Sequence, residues 1–313
     1  MPDIAIAALG HYQPERVLTN DDLAALVDTS DAWIRQRTGI ATRRIAADGE
    51  SVTDMAAAAG GKALAAAGLR PDEIGLLVVA TSSAQDRCPS IAAQTAARLG
   101  VPAAATFDLN NACAGFTTAL AVADHAVRAG AAGHALVIGA EKMSDLTDWT
   151  DRSTCVLLGD GAGAAVVSPS DRAGIGPVVW GTDPGRADAV RLAGAWHPRF
   201  AQEGQTVFRW ATTALAPLAE EACRRAGLTP ADLGGIVTHQ ANLRIIEAVV
   251  ARLGAERAVV ARDVVESGNT SAASVPLAYS KLVERGDLPS GEPVLLLGFG
   301  GGLSWAAQVT TCP

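Results

Sequence analysis

The segment Ala67-Gly68-Leu69-Arg70-Pro71-Asp72-Glu73-Ile74-Gly75, leading into an apolar run from Leu76 to Thr81, returns as Ala226-Gly227-Leu228-Thr229-Pro230-Ala231-Asp232-Leu233-Gly234 ahead of Gly235 to Thr238. In both copies a helix ends near a glycine, a turn follows, and a buried strand begins. A chain that repeats this unit is expected to fold as two similar α/β halves. A second echo pairs Leu158-Gly159-Asp160-Gly161-Ala162-Gly163 with Leu297-Gly298-Phe299-Gly300-Gly301-Gly302. The expected split lies near Ser168 to Gly176, giving units of residues 1–170 and 171–313. Buried apolar strands alternating with Ala-rich helices predict mixed sheets covered by helices.

At 313 residues and 49% hydrophobic content the chain can bury a large core and exceeds a typical single domain. It has no uninterrupted apolar stretch long enough to span a bilayer, and its N-terminus lacks a basic segment followed by an apolar run. A cytosolic location is the expectation. The five cysteines, Cys88, Cys113, Cys155, Cys223 and Cys312, are widely spaced and odd in number, which fits neither a disulfide framework nor a zinc-ligand set. No metal and no cofactor are expected. The net charge of −8 opposes nonspecific nucleic-acid binding, so an acidic partner must meet a local basic patch.

Cys113 lies in Asn111-Ala112-Cys113-Ala114-Gly115-Phe116, between a short strand-like run, Ala105 to Leu109, read as buried, and a helix-like run, Phe116 to Ala129. A thiol at a helix N-terminus meets unpaired N–H groups and the positive end of the macrodipole, which favour the reactive thiolate. A lone Cys is more often a small core residue. Two distant segments shift that balance: Thr238-His239-Gln240-Ala241-Asn242 presents a His where a strand ends, and Glu266-Ser267-Gly268-Asn269-Thr270-Ser271 presents an Asn in a small-residue loop before the helix-like Val275 to Val283. Cys, His and Asn together can hold a thioester and stabilise charge on its oxygen. Of the glycine runs, Gly159 to Gly163 precedes a strand rather than opening a helix, which argues against a nucleotide loop. Gly300-Gly301-Gly302 allows a backbone N–H to approach a substrate oxygen closely.

From near Thr29 to Ala307 the chain resembles the β-ketoacyl-acyl carrier protein synthase III family of the thiolase-like superfamily. The resemblance is carried by Ala112-Cys113-Ala114-Gly115-Phe116, His239-Gln240-Ala241-Asn242-Leu243-Arg244, Gly268-Asn269-Thr270-Ser271 and Gly298-Phe299-Gly300-Gly301-Gly302. It implies an α/β, thiolase-like five-layer fold of two duplicated α/β halves, with a site at their junction, a common place for ligand pockets. It also implies a catalytic set of Cys113, His239 and Asn269 and an oxyanion hole from the N–H groups of Cys113 and Gly301. Acyl-CoA and malonyl-acyl carrier protein are the implied substrates, and a homodimer the implied assembly, with no nucleic acid and no membrane insertion.

The same resemblance implies coenzyme A contacts at Thr29, Trp33, Arg37 and Arg152 and a pantetheine contact at Asn242. An indole and a guanidinium can sandwich adenine, and Arg suits phosphate. Arg209, Arg244 and Arg252 match carrier-protein docking positions, the last two lying about two turns apart on one helix face. Cys88 matches a residue that reaches the partner's acyl pocket, with Met143, Leu158 and Phe299 as further pocket residues, while Gln202 stands where Met is frequent. Phe116 either shields the thiolate or packs in its helix. Papain-like hydrolysis is disfavoured by the Cys and His contexts, and degradative thiolysis by the lack of a Cys in the C-terminal glycine loop. A polyketide-priming or acyl-transferring relative, and a nonenzymatic carrier-protein binder, are the other readings.

Overall fold

The computed structural model describes residues 3–86, 88–172 and 174–313. The chain runs through β1 (Asp3–Tyr12), β2 (Arg16–Thr19), α1 (Asn20–Ala24), α2 (Asp31–Thr38), β3 (Thr42–Ile45), α3 (Val52–Ala67), β4 (Ile74–Ala80), α4 (Ile91–Leu99), β5 (Ala105–Leu109), α5 (Gly115–Arg128), β6 (His134–Lys142) and β7 (Asp160–Ser170). It continues through β8 (Val179–Thr182), β9 (Val190–Ala193), β10 (Arg199–Gln202), α6 (Gly204–Arg225), β11 (Gly235–Thr238), α7 (Leu243–Leu253), β12 (Val259–Val260), α8 (Val264–Ser267), α9 (Ser274–Glu284), β13 (Pro293–Gly300) and β14 (Ser304–Thr311).

Two five-stranded sheets have matching orders, β1-β7-β6-β4-β5 and β8-β14-β13-β11-β12. In each, the strand next to one edge pairs in parallel on both sides, β4 with β5 and β6, β11 with β12 and β13, while the remaining pairs are antiparallel. Strand alternation divides the apolar residues into layers. Leu77, Val79, Leu136 and Ile138 pack on α3 and α4, whereas Val78, Ala80, Val137 and Ala135 face α5 and α9. In the second sheet Ile236, Leu295 and Leu297 pack on α6 and α7, while Val237, Val294 and Leu296 face the same central helix pair. Each outer face buries its own core, the two inner faces share one around the central helices, and the result is five layers.

The first echo is a topological equivalence: α3, a turn at Pro71–Glu73 and β4 correspond to α6, a turn at Pro230–Asp232 and β11. The second echo is not. Asp160 to Gly163 begin β7, whereas Gly300 ends β13 and Gly301–Leu303 form the turn before β14. The shared glycines answer different close approaches: a Cβ at Gly163 would meet the Leu277 backbone, and one at Gly300 would meet Cys113. Strand Ala105–Leu109 exists but is not buried, because β5 is a sheet edge with β4 as its neighbour; Phe107 is 39% exposed. In the expected linker, β7 ends at Ser170 and β8 begins at Val179, and Ala173 lies outside the described residues. No helix among the described residues is long and apolar enough to cross a membrane.

Candidate active site

Cys113 sits in a short 3-10 turn, Ala112–Ala114, that runs directly into α5. The turn is pinned before and behind. The Ala112 N–H donates to Asn110 Oδ1 at 3.1 Å, and the hydroxyls of Thr117 and Thr118 donate to the Ala114 carbonyl at 3.0 and 2.9 Å. Ala112 adopts φ 45°, a left-handed conformation that L residues avoid, so the surroundings must hold it. The expected thiol at a helix start is therefore present. The expected thiolate is not favoured: burial, reinforced by the Glu141 charge and only partly opposed by a bond to Ser271, pushes the Cys113 thiol up to about 12.

His239 follows β11 directly, and its N–H donates to the Leu297 carbonyl at 2.7 Å, extending the ladder by one residue. Gln240, fully buried, fixes the next step: its amide donates to Thr238 and Ala261 carbonyls and accepts from the Val264 N–H. His239 Nδ1 lies 2.7 Å from Ser274 Oγ, and the Phe299 ring stands edge-on at 5.1 Å. Burial drives the imidazole down to about 3, so it is neutral throughout the physiological range.

Asn269 is held from behind by backbone. Its N–H donates to Leu157 O at 2.8 Å and its carbonyl accepts from Gly159 N at 3.1 Å. Fully buried Arg43 braces that segment by donating to the Val156 carbonyl at 2.7 Å. Asn269 Oδ1 accepts from the Ser271 N–H at 2.9 Å, which leaves the side-chain NH₂ to donate elsewhere. Ser271 also meets Cys113, its Oγ lying 3.5 Å from the sulfur. One residue thus joins the thiol of the first half to the amide of the second.

The glycine turn closes the site from β13. A Cβ at Gly300 would fall 2.7 Å from Cys113 Cβ and 3.1 Å from its sulfur, while one at Gly301 would meet Val190 O at 3.2 Å and Ala112 Cβ at 3.3 Å. Gly300 is therefore the residue whose missing side chain makes room for Cys113. Ser271, Ser274 and Gly300 carry no motif of their own in sequence; only their position beside Asn269, Val275 and Gly301 marks them.

A cleft of about 480 Å³ is lined by Trp33, Arg37, Gln202, Arg209, Asn242, Arg244 and Asn269, among others. It brings Trp33, Arg37 and Asn242, of the implied coenzyme A and pantetheine contacts, and Arg209 and Arg244, of the implied docking residues, to one place beside Asn269; Thr29 and Arg252 lie outside its lining. Arg152 joins them, its guanidinium 4.3 Å from the Trp33 ring centroid, with Arg37 at 6.0 Å. The two are in contact, so adenine can enter between Trp33 and Arg152 only if Arg152 lifts. Thr29 Oγ1 is buried with no hydrogen-bond partner. Asn242 has a structural duty not foreseen in the sequence: Oδ1 caps α7 at the Arg244 N–H, and Nδ2 donates to the Arg37 carbonyl, tying α7 to α2. Arg244 lies over Phe208 at 5.2 Å, and Arg252 is exposed in the last turn of α7.

The acyl-pocket candidates do not form one group within the subunit. Met143 and Leu158 share an apolar cluster with Cys155 and Leu157, Phe299 packs in another with Trp210, and Cys88 is exposed on the loop after β4. Phe116 is fully buried in the central layer, which its helical packing explains.

A family model described as 3-oxoacyl-[acyl-carrier-protein (ACP)] synthase III matches residues 107–184, and one described as the C-terminal part of the same synthase matches residues 223–312. Beta-ketoacyl-[acyl-carrier-protein] synthase III 2 of Streptomyces avermitilis is 66% identical over 98% of both chains, and synthase III 4 of Streptomyces coelicolor is 64% identical over the same share. Among solved structures, the priming β-ketosynthase from the R1128 polyketide biosynthetic pathway superposes with a TM-score of 0.98 at 44% identity, covering 100% of this chain and 98% of that one. The synthase III of Aquifex aeolicus gives 0.94 at 39% identity, covering 99% and 100%. With intact Cys, His and Asn motifs on a duplicated five-layer fold, the chain belongs to the thiolase-like β-ketoacyl-acyl carrier protein synthase III family.

Proposed function

We propose that this enzyme condenses an acyl-CoA starter with malonyl-acyl carrier protein, releasing carbon dioxide and a 3-ketoacyl-acyl carrier protein. The observation that carries the reading is the meeting of Cys113 with Ser271 and Asn269 at the junction of the two sheets, beside a cleft lined by Trp33, Arg37 and Asn242. Cys113 sulfur attacks the acyl-CoA carbonyl, with the N–H groups of Cys113 and Gly301 holding the oxyanion. The C–S bond to coenzyme A breaks, and the thiol proton lost by Cys113 balances the one gained by the leaving thiolate. Burial keeps the resting thiol protonated, so deprotonation accompanies attack.

Malonyl-acyl carrier protein then enters the same cleft. A Ser274 hydroxyl donating to His239 Nδ1 leaves the imidazole proton on Nε2, where His239 and the Asn269 NH₂ both donate to the malonyl thioester oxygen. Loss of carbon dioxide leaves an enolate held by those two bonds, and its carbon attacks the acyl-Cys, expelling the Cys113 thiolate. Trp33, Arg37, Arg152 and Thr29 hold the nucleotide end of coenzyme A, and Asn242 meets the pantetheine arm. Arg209, Arg244 and Arg252 attract the acidic carrier protein. The working form is a cytoplasmic homodimer without a cofactor, built from units 1–170 and 171–313, in which Cys88 closes the partner's acyl pocket near Met143, Leu158 and Phe299.

Intact-mass analysis after incubation with acyl-CoA tests the first stage: wild type gains one acyl group and Cys113→Ser gains none, because an unactivated hydroxyl is a far poorer nucleophile. Acylation of Cys113→Ser at a rate within tenfold of wild type would remove Cys113 from the mechanism. The likeness to the priming ketosynthase favours a second reading in which the same condensation starts a polyketide. Comparing turnover on carrier proteins from the two kinds of pathway separates them.

A further inference from the structure

Glu141, near the end of β6, is a fully buried carboxylate that the condensation scheme leaves without a role. Among the described residues its charge is met by hydrogen-bond donors rather than by a cation. Oε2 accepts from Thr81 Oγ1 at 3.2 Å, Ser83 N at 3.0 Å and Ser83 Oγ at 2.5 Å. Oε1 accepts from Ser82 Oγ at 2.9 Å and from the Ala272 N–H at 3.3 Å, while the Ser82 N–H is shared between both oxygens.

A carboxylate needed only to brace residues 81–83 would have no reason to cross the junction. Glu141 crosses it once directly, at the Ala272 amide, and once through Ser82. Ala272 belongs to the other half and is bonded directly to Ser271, whose hydroxyl also lies 3.5 Å from Ser82 Oγ. Cys113 S–H donates to Ser271 and Ser82 O–H to Glu141; with the Ser82 proton so committed, the 3.5 Å contact between the two serines leaves Ser271 as its donor. So many donors hold the carboxylate in one place, which makes it an anchor for residues 81–83 and for the Ala272 amide.

We propose that Glu141 is a positioning residue for the nucleophile, which acts through Ser82 and the Ala272 amide to fix the Ser271 hydroxyl against the Cys113 sulfur. Ser271, touching the reacting atom, is then a catalytic residue: it accepts from the resting thiol and, with its hydroxyl turned, donates to the thiolate. The two groups act on the thiol with opposite sign, since the Ser271 bond favours ionisation and the Glu141 charge opposes it.

This inference rests on Cys113 being the nucleophile, and its test needs no acyl-CoA, so its failure is distinct from failure of the condensation reading. Alkylation of Cys113 by iodoacetamide at pH 8, followed by peptide mass spectrometry, reports the thiolate fraction, partly offset by the lower nucleophilicity of a more acidic thiol. Ser271→Ala is expected to slow alkylation at least threefold and Glu141→Gln to speed it at least threefold. Ser82→Ala, which keeps the charge while removing one donor and the tie to Ser271, is expected to slow it. Equal direction in Ser271→Ala and Glu141→Gln, the mark of general loosening, overturns the proposal. Should Glu141→Gln fail to fold, Ser82→Ala decides: slower alkylation supports the tie, and unchanged or faster alkylation overturns it.

Discussion

Ala112 and Ser271 carry the same left-handed backbone, φ 45° and 47°, at equivalent positions of the two halves. Each is the first residue of a 3-10 turn that starts a central helix, Ala112 before α5 and Ser271 before α9. One turn presents the Cys113 thiol and the other presents the hydroxyl that touches it. Holding an L residue there costs about 1–2 kcal/mol. Ala112→Gly relieves that strain while regaining chain entropy worth about 0.5–1 kcal/mol, so its net stability is expected to rise by up to about 1 kcal/mol. Acyl-Cys113 formation is expected to slow all the same, because the turn is no longer confined. A thermal melt and a timed intact-mass assay check both halves of this expectation; an acylation rate equal to wild type means the strained residue does not position the sulfur.

Gly300→Ala places a Cβ 2.7 Å from Cys113 Cβ and 3.0 Å from Cys113 N, backbone and near-backbone atoms that cannot swing away. The expected cost is about 1–3 kcal/mol of stability, with at least a hundredfold loss of acylation as the nucleophile is displaced. Gly301→Ala meets its nearest atoms at 3.2 and 3.3 Å and keeps its N–H, so a loss below tenfold is expected. Chemical denaturation and the acylation rate, measured for both variants, rank the two glycines; a reversed ranking would contradict the packing described.

His239 is held near 3 by burial, well below its ordinary 6.5. Malonyl decarboxylation on pre-acylated enzyme is therefore expected to show no titration of this imidazole between pH 5 and 8. The stability consequence has a definite sign. Below pH 6.5 the unfolded chain takes up a proton that the native His refuses, so stability present above 6.5 is lost as pH falls toward 3. Between pH 6.5 and 5 the loss is about 2 kcal/mol, and His239→Gln should remove that part of the slope. Urea unfolding at the two pH values in both proteins measures it.

His239→Ala or Asn269→Ala is expected to leave acyl-Cys113 formation measurable and to suppress decarboxylation about a hundredfold or more, as for lost oxyanion donors. Ser274→Ala removes the partner that fixes the imidazole tautomer and should lower decarboxylation in the same direction, by less. Release of labelled carbon dioxide and intact mass report the two stages separately. Equal loss of both stages in the His239 and Asn269 variants would contradict the division of labour.

The order of helix, turn and strand was legible because Gly68 and Gly227, in left-handed conformation, end their helices at matching places ahead of β4 and β11. The placement of Cys113, His239 and Asn269 was legible because each stands where a strand or loop gives way. The second glycine echo misled, since glycines recur wherever layers approach closely, whatever their place in the topology. The strand before Cys113 reads as buried because a strand-like run does not reveal that β5, among the described residues, stands at a sheet edge with β4 as its one neighbour. Thiol ionisation could not be read locally either: the helix start is a sequence feature, but the burial and the Glu141 charge that oppose it come from segments far away in the chain. Ser271, Ser82 and Glu141 are common residues in common contexts, and only the fold brings them into one line.

Cys88 is exposed, and the proposed function makes it the residue that closes a partner's acyl pocket. Its small side chain should leave that pocket room for a starter longer or more branched than acetyl, each buried methylene contributing about 0.8 kcal/mol. Cys88→Phe is expected to fill the space and turn preference toward acetyl-CoA. Because a methylene typically gives about 1–3 kcal/mol of discrimination, the change should appear as a shift of about tenfold to two-hundredfold in relative kcat/KM. The measurement is a panel of acetyl-, isobutyryl- and hexanoyl-CoA, with sedimentation establishing that wild type and mutant are folded dimers. A monomer, or an unchanged ratio across the panel in a folded dimer, would show that Cys88 does not set the depth of the pocket.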